Sequence, residues 1–159
     1  MIPGNVWRFA PILACAVALG ACNQSQQAAN PADNTANSSA TAHHDAREDI
    51  MHDWGAATKA MKGMLSDSAN FNADDFRAAA KKLDQDAWAH FPAGSEGGES
   101  KPEIWQNPTA WQQEIDKYQQ AVAALNTAAQ TATSPADVQA QFDNVSASCK
   151  SCHQQFREK

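Results

Sequence analysis

The stretch Ser148-Cys149-Lys150-Ser151-Cys152-His153, near the end of the chain, places two cysteines and a histidine in the order C-x-x-C-H. This order is the attachment signal of c-type haem. The two thiols can form thioether bonds to the haem vinyl groups, and the adjacent imidazole can reach the iron from one side. The motif therefore predicts covalent haem at Cys149 and Cys152, with His153 as the proximal iron ligand.

A C-x-x-C pair has three other interpretations: a thioredoxin-like redox pair, half of a zinc site, or a structural disulfide. A redox pair is expected near a βαβ pattern, which the sequence does not show. A structural zinc site needs four ligands, and no second pair of cysteines follows Cys22. A disulfide gives no role to the histidine. We therefore favour haem.

The haem motif continues an apolar stripe with alternating steps of four and three residues. Its members are Val138, Phe142, Val145, Cys149, Cys152 and Phe156. This period indicates an amphipathic helix, with Ser134-Pro135 at its start. Both cysteines fall on its apolar face, so we expect the haem to lie within the core.

Three more helices are predicted upstream from the same kind of period. The first covers about residues 45–65. The second starts with Asn72 or Asp74 as cap and runs to Phe91, where Pro92 stops it. The third starts at Asn107-Pro108 and runs to about Ala129. No alternating strand pattern of useful length occurs, so we predict an all-α, antiparallel four-helix bundle with haem c on its C-terminal helix.

The N-terminus has the pattern of an export signal. Residues 12–21 are apolar or small and follow Arg8, which predicts a signal peptide over residues 1–21. The sequence Leu19-Gly20-Ala21-Cys22 resembles a lipoprotein cleavage site, which would make Cys22 a lipidated N-terminus on a membrane surface. An ordinary cleavage site with an incidental cysteine is the alternative. Residues 22–42 lack aromatic and large aliphatic side chains, and we interpret them as a flexible tether, or else as a poorly formed Ala-rich helix.

The formal charge of the chain is −6 at pH 7. Removal of Arg8 with the signal peptide would leave 11 basic against 18 acidic residues, a charge of −7. An acidic protein of this kind is not expected to bind nucleic acid. It is compatible with a basic docking partner.

Three stretches together resemble class II cytochromes c, the family that includes cytochrome c′. They are Arg47-x-x-x-Met51, the loop from Phe91-Pro92-Ala93-Gly94-Ser95-Glu96-Gly97-Gly98 to Lys101-Pro102-Glu103-Ile104-Trp105, and the haem motif with Phe156-Arg157 after it. The similarity covers residues 43–159, which we take as the cytochrome domain. It implies a four-helix bundle, one covalent haem c, and maturation on the outer side of a bacterial inner membrane. It also allows a homodimer.

The resemblance implies that the sixth position on the iron is decided four residues after an arginine, at Met51. Family members that bind gases carry leucine or phenylalanine there, and six-coordinate members carry methionine. The resemblance therefore implies that Met51 is the distal iron ligand. Met51 as a core-filling residue and His52 as the ligand are the alternatives. In the family the arginine approaches a haem propionate, which is the role expected of Arg47; simple solvation is the alternative.

The expected function is single-electron transfer through a haem with His153 and Met51 as axial ligands, on the periplasmic side of a membrane and with redox proteins as partners. Such a protein is not expected to be an enzyme. The alternative is a five-coordinate cytochrome c′-like protein that binds nitric oxide or carbon monoxide. A haem-bearing structural or sensor module in a larger complex is a third interpretation.

Overall fold

The structure, a computed structural model, describes residues 31–159, with side chains from Ser38 onward. Its helices are α1 (Pro31–Ser66), α2 (Ala73–Lys82), α3 (Glu103–Gln106), α4 (Pro108–Ala129) and α5 (Gln139–Phe156). Single 3-10 turns occur at Ser68–Asn70, Trp88–His90 and Pro135–Asp137. Within residues 31–159 the chain forms isolated β-bridges but no strand.

The helices α1, α2, α4 and α5 form the predicted four-helix bundle. Helix α1 packs against α2, α2 against α4, and α4 against α5, while the one-turn α3 packs at the start of α4. The core takes large side chains from all four helices, including Met61, Phe76, Leu125 and Val145. Burial of such side chains is the main stabilising contribution to a bundle of this kind.

Helix α1 begins at Pro31, well before the predicted start at about residue 45. Residues 31–42 are therefore helical where we had favoured a flexible tether, and this agrees with the Ala-rich helix of the alternative interpretation. Alanine has the highest helix propensity, and Pro31 is tolerated in the first turn. The rest of the predicted tether and the signal peptide lie outside the described residues.

Helix α2 ends at Lys82, so the prediction that it continues to Phe91 was wrong. Two contacts explain the early end. The buried hydroxyl of Tyr118 donates to the Leu83 carbonyl oxygen (2.9 Å), which satisfies an acceptor at the helix terminus. The carboxylate of Asp86 accepts from the backbone N–H of Trp88 (3.0 Å) and starts a separate 3-10 turn there. Pro92 follows that turn and does not terminate α2.

The predicted starts of the last two helices are largely confirmed. Asn107 caps α4 by accepting from the N–H of Ala110 (3.2 Å), with Pro108 in the first helical position. Ser134 and Pro135 begin a 3-10 turn with a capping box, and α5 follows at Gln139. In the described part of the chain, no helix is both long enough and apolar enough to cross a membrane.

Candidate haem-binding site

The two motif cysteines lie half-buried on α5 and are not joined in a disulfide. Cys149 packs against the bundle core, as its place on the apolar stripe predicts. Burial raises the pKa of both thiols; that of Cys152 reaches about 12, with the charges of Glu114 and Cys149 adding to the effect of burial. The side chains are therefore neutral thiols at the edge of the core, one helical turn apart.

His153 directly follows Cys152 and is exposed near the end of α5. Desolvation of the imidazole lowers its pKa; the charge of Arg157 lowers it further, and the charge of Glu99 opposes this. A lower pKa favours the neutral imidazole, which is the form that binds a metal ion. The lowered pKa therefore favours the protonation state that the predicted proximal ligand requires.

Met51 and Trp54 approach the same core from α1. Met51 is partly buried and packs against the cluster that also receives Cys149. Trp54 is 7% exposed, and its indole N–H is buried without a hydrogen-bond acceptor. His52, the rival ligand, has a side chain that is 79% exposed and lies 4.0 Å from Glu48. The structure thus places Met51 towards the core and His52 towards solvent.

A series of aromatic side chains in contact runs from Trp54 on α1 to Phe156 at the end of α5. Trp54 stacks on Tyr118 with ring centroids 4.6 Å apart, and Trp88 contacts both rings. Trp88 also meets Trp111 edge-on at 5.7 Å, and Trp111 meets Phe156 at 5.1 Å. The contacts run from α1 through the α2–α3 connection and α4 to the end of α5. The tryptophans therefore form part of the core and of its wall.

Arg47 is buried at 5% exposure and holds the loop that follows Phe91. Its Nη1 donates to the carbonyl oxygens of His90 (2.8 Å) and Ser95 (2.9 Å), and its guanidinium lies 4.9 Å from the centroid of the Phe91 ring. Burial lowers its pKa, and the charge of Glu96 opposes this. The simple solvation of Arg47 is excluded by these contacts, while its role at a propionate stays a prediction.

The same loop is joined to the end of α5. The N–H of Lys101 donates to the Phe156 carbonyl (3.0 Å), and the N–H of Glu158 donates to the Glu99 carbonyl (2.8 Å). Arg157 Nε donates to the Glu99 carboxylate (2.6 Å). Gly98 adopts φ 64°, a left-handed conformation that favours glycine, and a Cβ atom there would displace the imidazole of His44. The loop therefore lies beside the helix end that carries His153.

These residues fit a covalently attached haem. Two free thiols lie on the inner side of α5, and an unpaired indole N–H is buried in the cluster that Cys149 contacts. A buried donor without an acceptor is unfavourable, and a bound group with acceptor atoms would satisfy it. Haem iron, when bound, supplies a redox couple and a coordination position for a second ligand.

A model of the family described as Cytochrome C′ matches residues 42–157. The chain belongs to the cytochrome c′ family. The cytochrome c′ of Alcaligenes xylosoxydans xylosoxydans is 34% identical over 67% of this chain and 82% of its own length. The cytochrome c′ fold, the bundle and the single covalent haem c are thereby confirmed.

Two solved cytochromes c′ share this fold. One, described as showing ligand-controlled dimer dissociation, aligns with a TM-score of 0.70 at 24% identity, over 76% of this chain and 97% of its own. The other is a carbon-monoxide-bound variant of the Alcaligenes xylosoxidans protein, with a TM-score of 0.61 at 28% identity, over 82% of this chain and 98% of its own. Both similarities agree with the four-helix bundle of the family.

Two sets of contacts were not predicted from the sequence. The pair Glu99 and Arg157 joins residues far apart in the chain, and no local pattern indicates it. Glu114 is a buried carboxylate on α4 beside the haem motif. The sequence does contain a sign of this contact. Glu114 lies on the apolar face of the third predicted helix, between Trp111 and Tyr118, and a carboxylate on such a face needs a partner.

Proposed function

We propose that this cytochrome c′ binds nitric oxide or carbon monoxide at a five-coordinate haem iron, with Met51 packed beside the open position. The similarity to a solved cytochrome c′ with bound carbon monoxide supports this function. The observation that carries it is the buried N–H of Trp54, which lacks an acceptor and lies one helical turn from Met51 on α1. A diatomic ligand on the distal side would offer such a donor an acceptor atom.

Electron transfer with Met51 as sixth ligand is the second candidate. One observation favours it: the Met51 thioether lies four residues after Arg47 and packs towards the cluster that Cys149 contacts. A methionine ligand would raise the reduction potential and close the iron to gases. The two candidates therefore differ in a single bond, that between the Met51 sulfur and iron.

The remaining roles are part of the same proposal. Cys149 and Cys152 would hold the haem, and His153 would be its proximal ligand. The donors of Arg47 that are not used by the loop would pair with a propionate. The chain would be exported to the periplasmic side and held to a membrane through lipidated Cys22. A homodimer stays a prediction.

Substitution of Met51 by leucine separates the two candidates, because leucine keeps the volume of the side chain but cannot ligate. For gas binding we expect a reduced wild-type protein that is high-spin and binds carbon monoxide promptly, and the Met51→Leu variant keeps that spin state. Absorption spectra and stopped-flow mixing with carbon monoxide measure both properties.

Met64→Leu is the matched control, since Met64 is a half-buried methionine on the same helix outside the arginine register. A low-spin wild-type protein that binds carbon monoxide slowly, and becomes high-spin only on Met51→Leu, would overturn the five-coordinate proposal and establish His/Met ligation. A low-spin protein that neither substitution changes would contradict both candidates and indicate another ligand.

A further inference from the structure

Glu114 is the only Asp or Glu residue with a buried side chain among the residues that the structure describes, at 3% exposure. It lies on the inner side of α4, between Trp111 and Tyr118 in the apolar stripe. A carboxylate in such a place is costly unless hydrogen bonds and an opposite charge compensate for the lost water. Its partners therefore indicate what it does.

The contacts of Glu114 join α4 to the haem-attachment turn of α5. Its Oε1 accepts from Lys117 Nζ (2.6 Å) on its own helix and from Gln155 Nε2 (3.0 Å) on α5. The same Gln155 nitrogen lies 3.4 Å from Ser151 Oγ, and Ser151 stands between the two cysteines. Oε2 is buried without a partner. The Glu114 carboxylate thus joins α4 directly to Gln155, three residues after Cys152, and through Gln155 it lies near Ser151.

The carboxylate of Glu114 is charged. Burial raises its pKa, but the hydrogen bonds from Lys117 and Gln155 and the charge of Lys117 act in the opposite direction, and the pKa lies below its ordinary value. The charge acts on the attachment site, because it contributes to the raised pKa of the Cys152 thiol. A buried charge is screened by salt and water much less than a surface charge.

We propose that Glu114 is a positioning residue for the turn of α5 that carries Cys152, and that its negative charge lowers the reduction potential of the attached haem. The ferric state carries one more positive charge than the ferrous state, so a nearby carboxylate stabilises the ferric state. Lys117 compensates only in part, because its side chain is 58% exposed and solvated. The inference requires haem at Cys152 and holds for either ligand at the sixth position.

The test is a spectroelectrochemical titration of the haem-loaded protein. We expect Glu114→Gln, which keeps the size of the side chain, to shift the potential to more positive values. Lys117→Gln retains Glu114 and removes the compensating charge, so we expect it to shift the potential to more negative values. Glu103→Gln, an exposed substitution of the same kind on α3, is the control and should shift the potential least.

Positioning is tested separately by Gln155→Leu, which removes the link to α5 and leaves the charge of Glu114 in place. We expect faster amide hydrogen exchange around Ser151 and Cys152 and a lower Tm, with a smaller change of potential than for Glu114→Gln.

Potentials of Glu114→Gln and Lys117→Gln that both equal that of Glu103→Gln would overturn the proposed effect of the Glu114 charge on the potential. Unchanged exchange in Gln155→Leu would overturn the positioning part. Neither outcome depends on whether the iron binds carbon monoxide, so each is distinct from a failure of the proposed function.

Discussion

The guanidinium of Arg47 binds the loop that follows Phe91. Its Nη1 donates to the carbonyl oxygens of His90 and Ser95 and also lies 3.2 Å from Ser95 Oγ, in a site where only 5% of the residue is exposed. A guanidinium has five N–H donors in a rigid plane, so one edge can bind the loop while another meets a carboxylate. A role at a haem propionate and a role in the loop are therefore compatible. Lysine lacks this planar arrangement of donors and could not make both sets of contacts at once.

We expect Arg47→Lys in the haem-loaded protein to release the loop and to lower the free energy of unfolding by about 1–3 kcal/mol, because buried carbonyl groups lose their donors. Amide hydrogen exchange over residues 93–98 and thermal unfolding measure the two effects. Arg77→Lys is the control: Arg77 Nε donates to the Ala129 carbonyl (3.2 Å), away from the loop. Equal exchange over residues 93–98 in both variants would show that Arg47 does not anchor the loop.

Single residues were predictable from the sequence where their chemistry depends on local spacing. The offsets of Cys149, Cys152 and His153 are such a case, whereas the register of Met51 after Arg47 came from the family resemblance; the roles of all four at the haem stay predictions. Contacts between distant residues were not predictable. Glu114 meets Gln155 only because α4 lies against α5, and the pairing of side chains across that contact is a property of the packed bundle.

Helix boundaries were predictable where local residues determine them, and they were not predictable where a distant residue does. The starts of α4 and α5 were predictable because Asn107-Pro108 and Ser134-Pro135 satisfy or remove backbone donors within a few residues. The end of α2 was not, because a tyrosine 35 residues downstream satisfies the Leu83 carbonyl. The early start of α1 rests on propensity over an Ala-rich segment with no apolar stripe, where periodicity gives no signal.

The turn before α5 makes a pH-dependent contribution to stability. The Asp137 carboxylate accepts from the N–H groups of Thr133 and Ser134 (2.9 Å each), and these and the hydroxyl of Ser134 hold its pKa below the ordinary value of 3.8. A folded-state pKa below the unfolded value means that this stability is fully present above pH 3.8. It is lost as the pH falls through the lower, folded-state value.

We therefore expect Asp137→Asn to lower Tm at pH 6, and the difference from wild type to shrink at pH 3. Thermal unfolding followed by circular dichroism at both pH values measures this. Asp143→Asn removes the same charge from the exposed face of α5, where an amide oxygen can still accept from Gln139. It should change Tm little at either pH. A difference for Asp137→Asn that is the same at pH 6 and pH 3 would contradict the assignment.

At the scale of the whole molecule, the stripes on four helices predicted a bundle, because each apolar face must be buried against another. The stripes do not specify the aromatic contacts that join α1, the α2–α3 connection, α4 and α5. Those contacts place Met51 and Trp54 of the first helix in the same core as Cys149 of the last. The bundle thereby brings Met51 and Cys149 to one core, although about 100 residues separate them in the chain.

The family match begins at residue 42, and the proposed lipid site at Cys22 precedes it. If Cys22 carries lipid, the segment between Cys22 and residue 42 links the cytochrome domain to a membrane surface. We expect the wild-type protein to incorporate labelled palmitate and to sediment with membranes. Cys22→Ser should abolish both, because serine cannot form the thioether.

Cys15→Ser is the matched control, since Cys15 would leave with the signal peptide. Labelling that persists in Cys22→Ser, or that is lost in Cys15→Ser, would show that the anchor is not at Cys22.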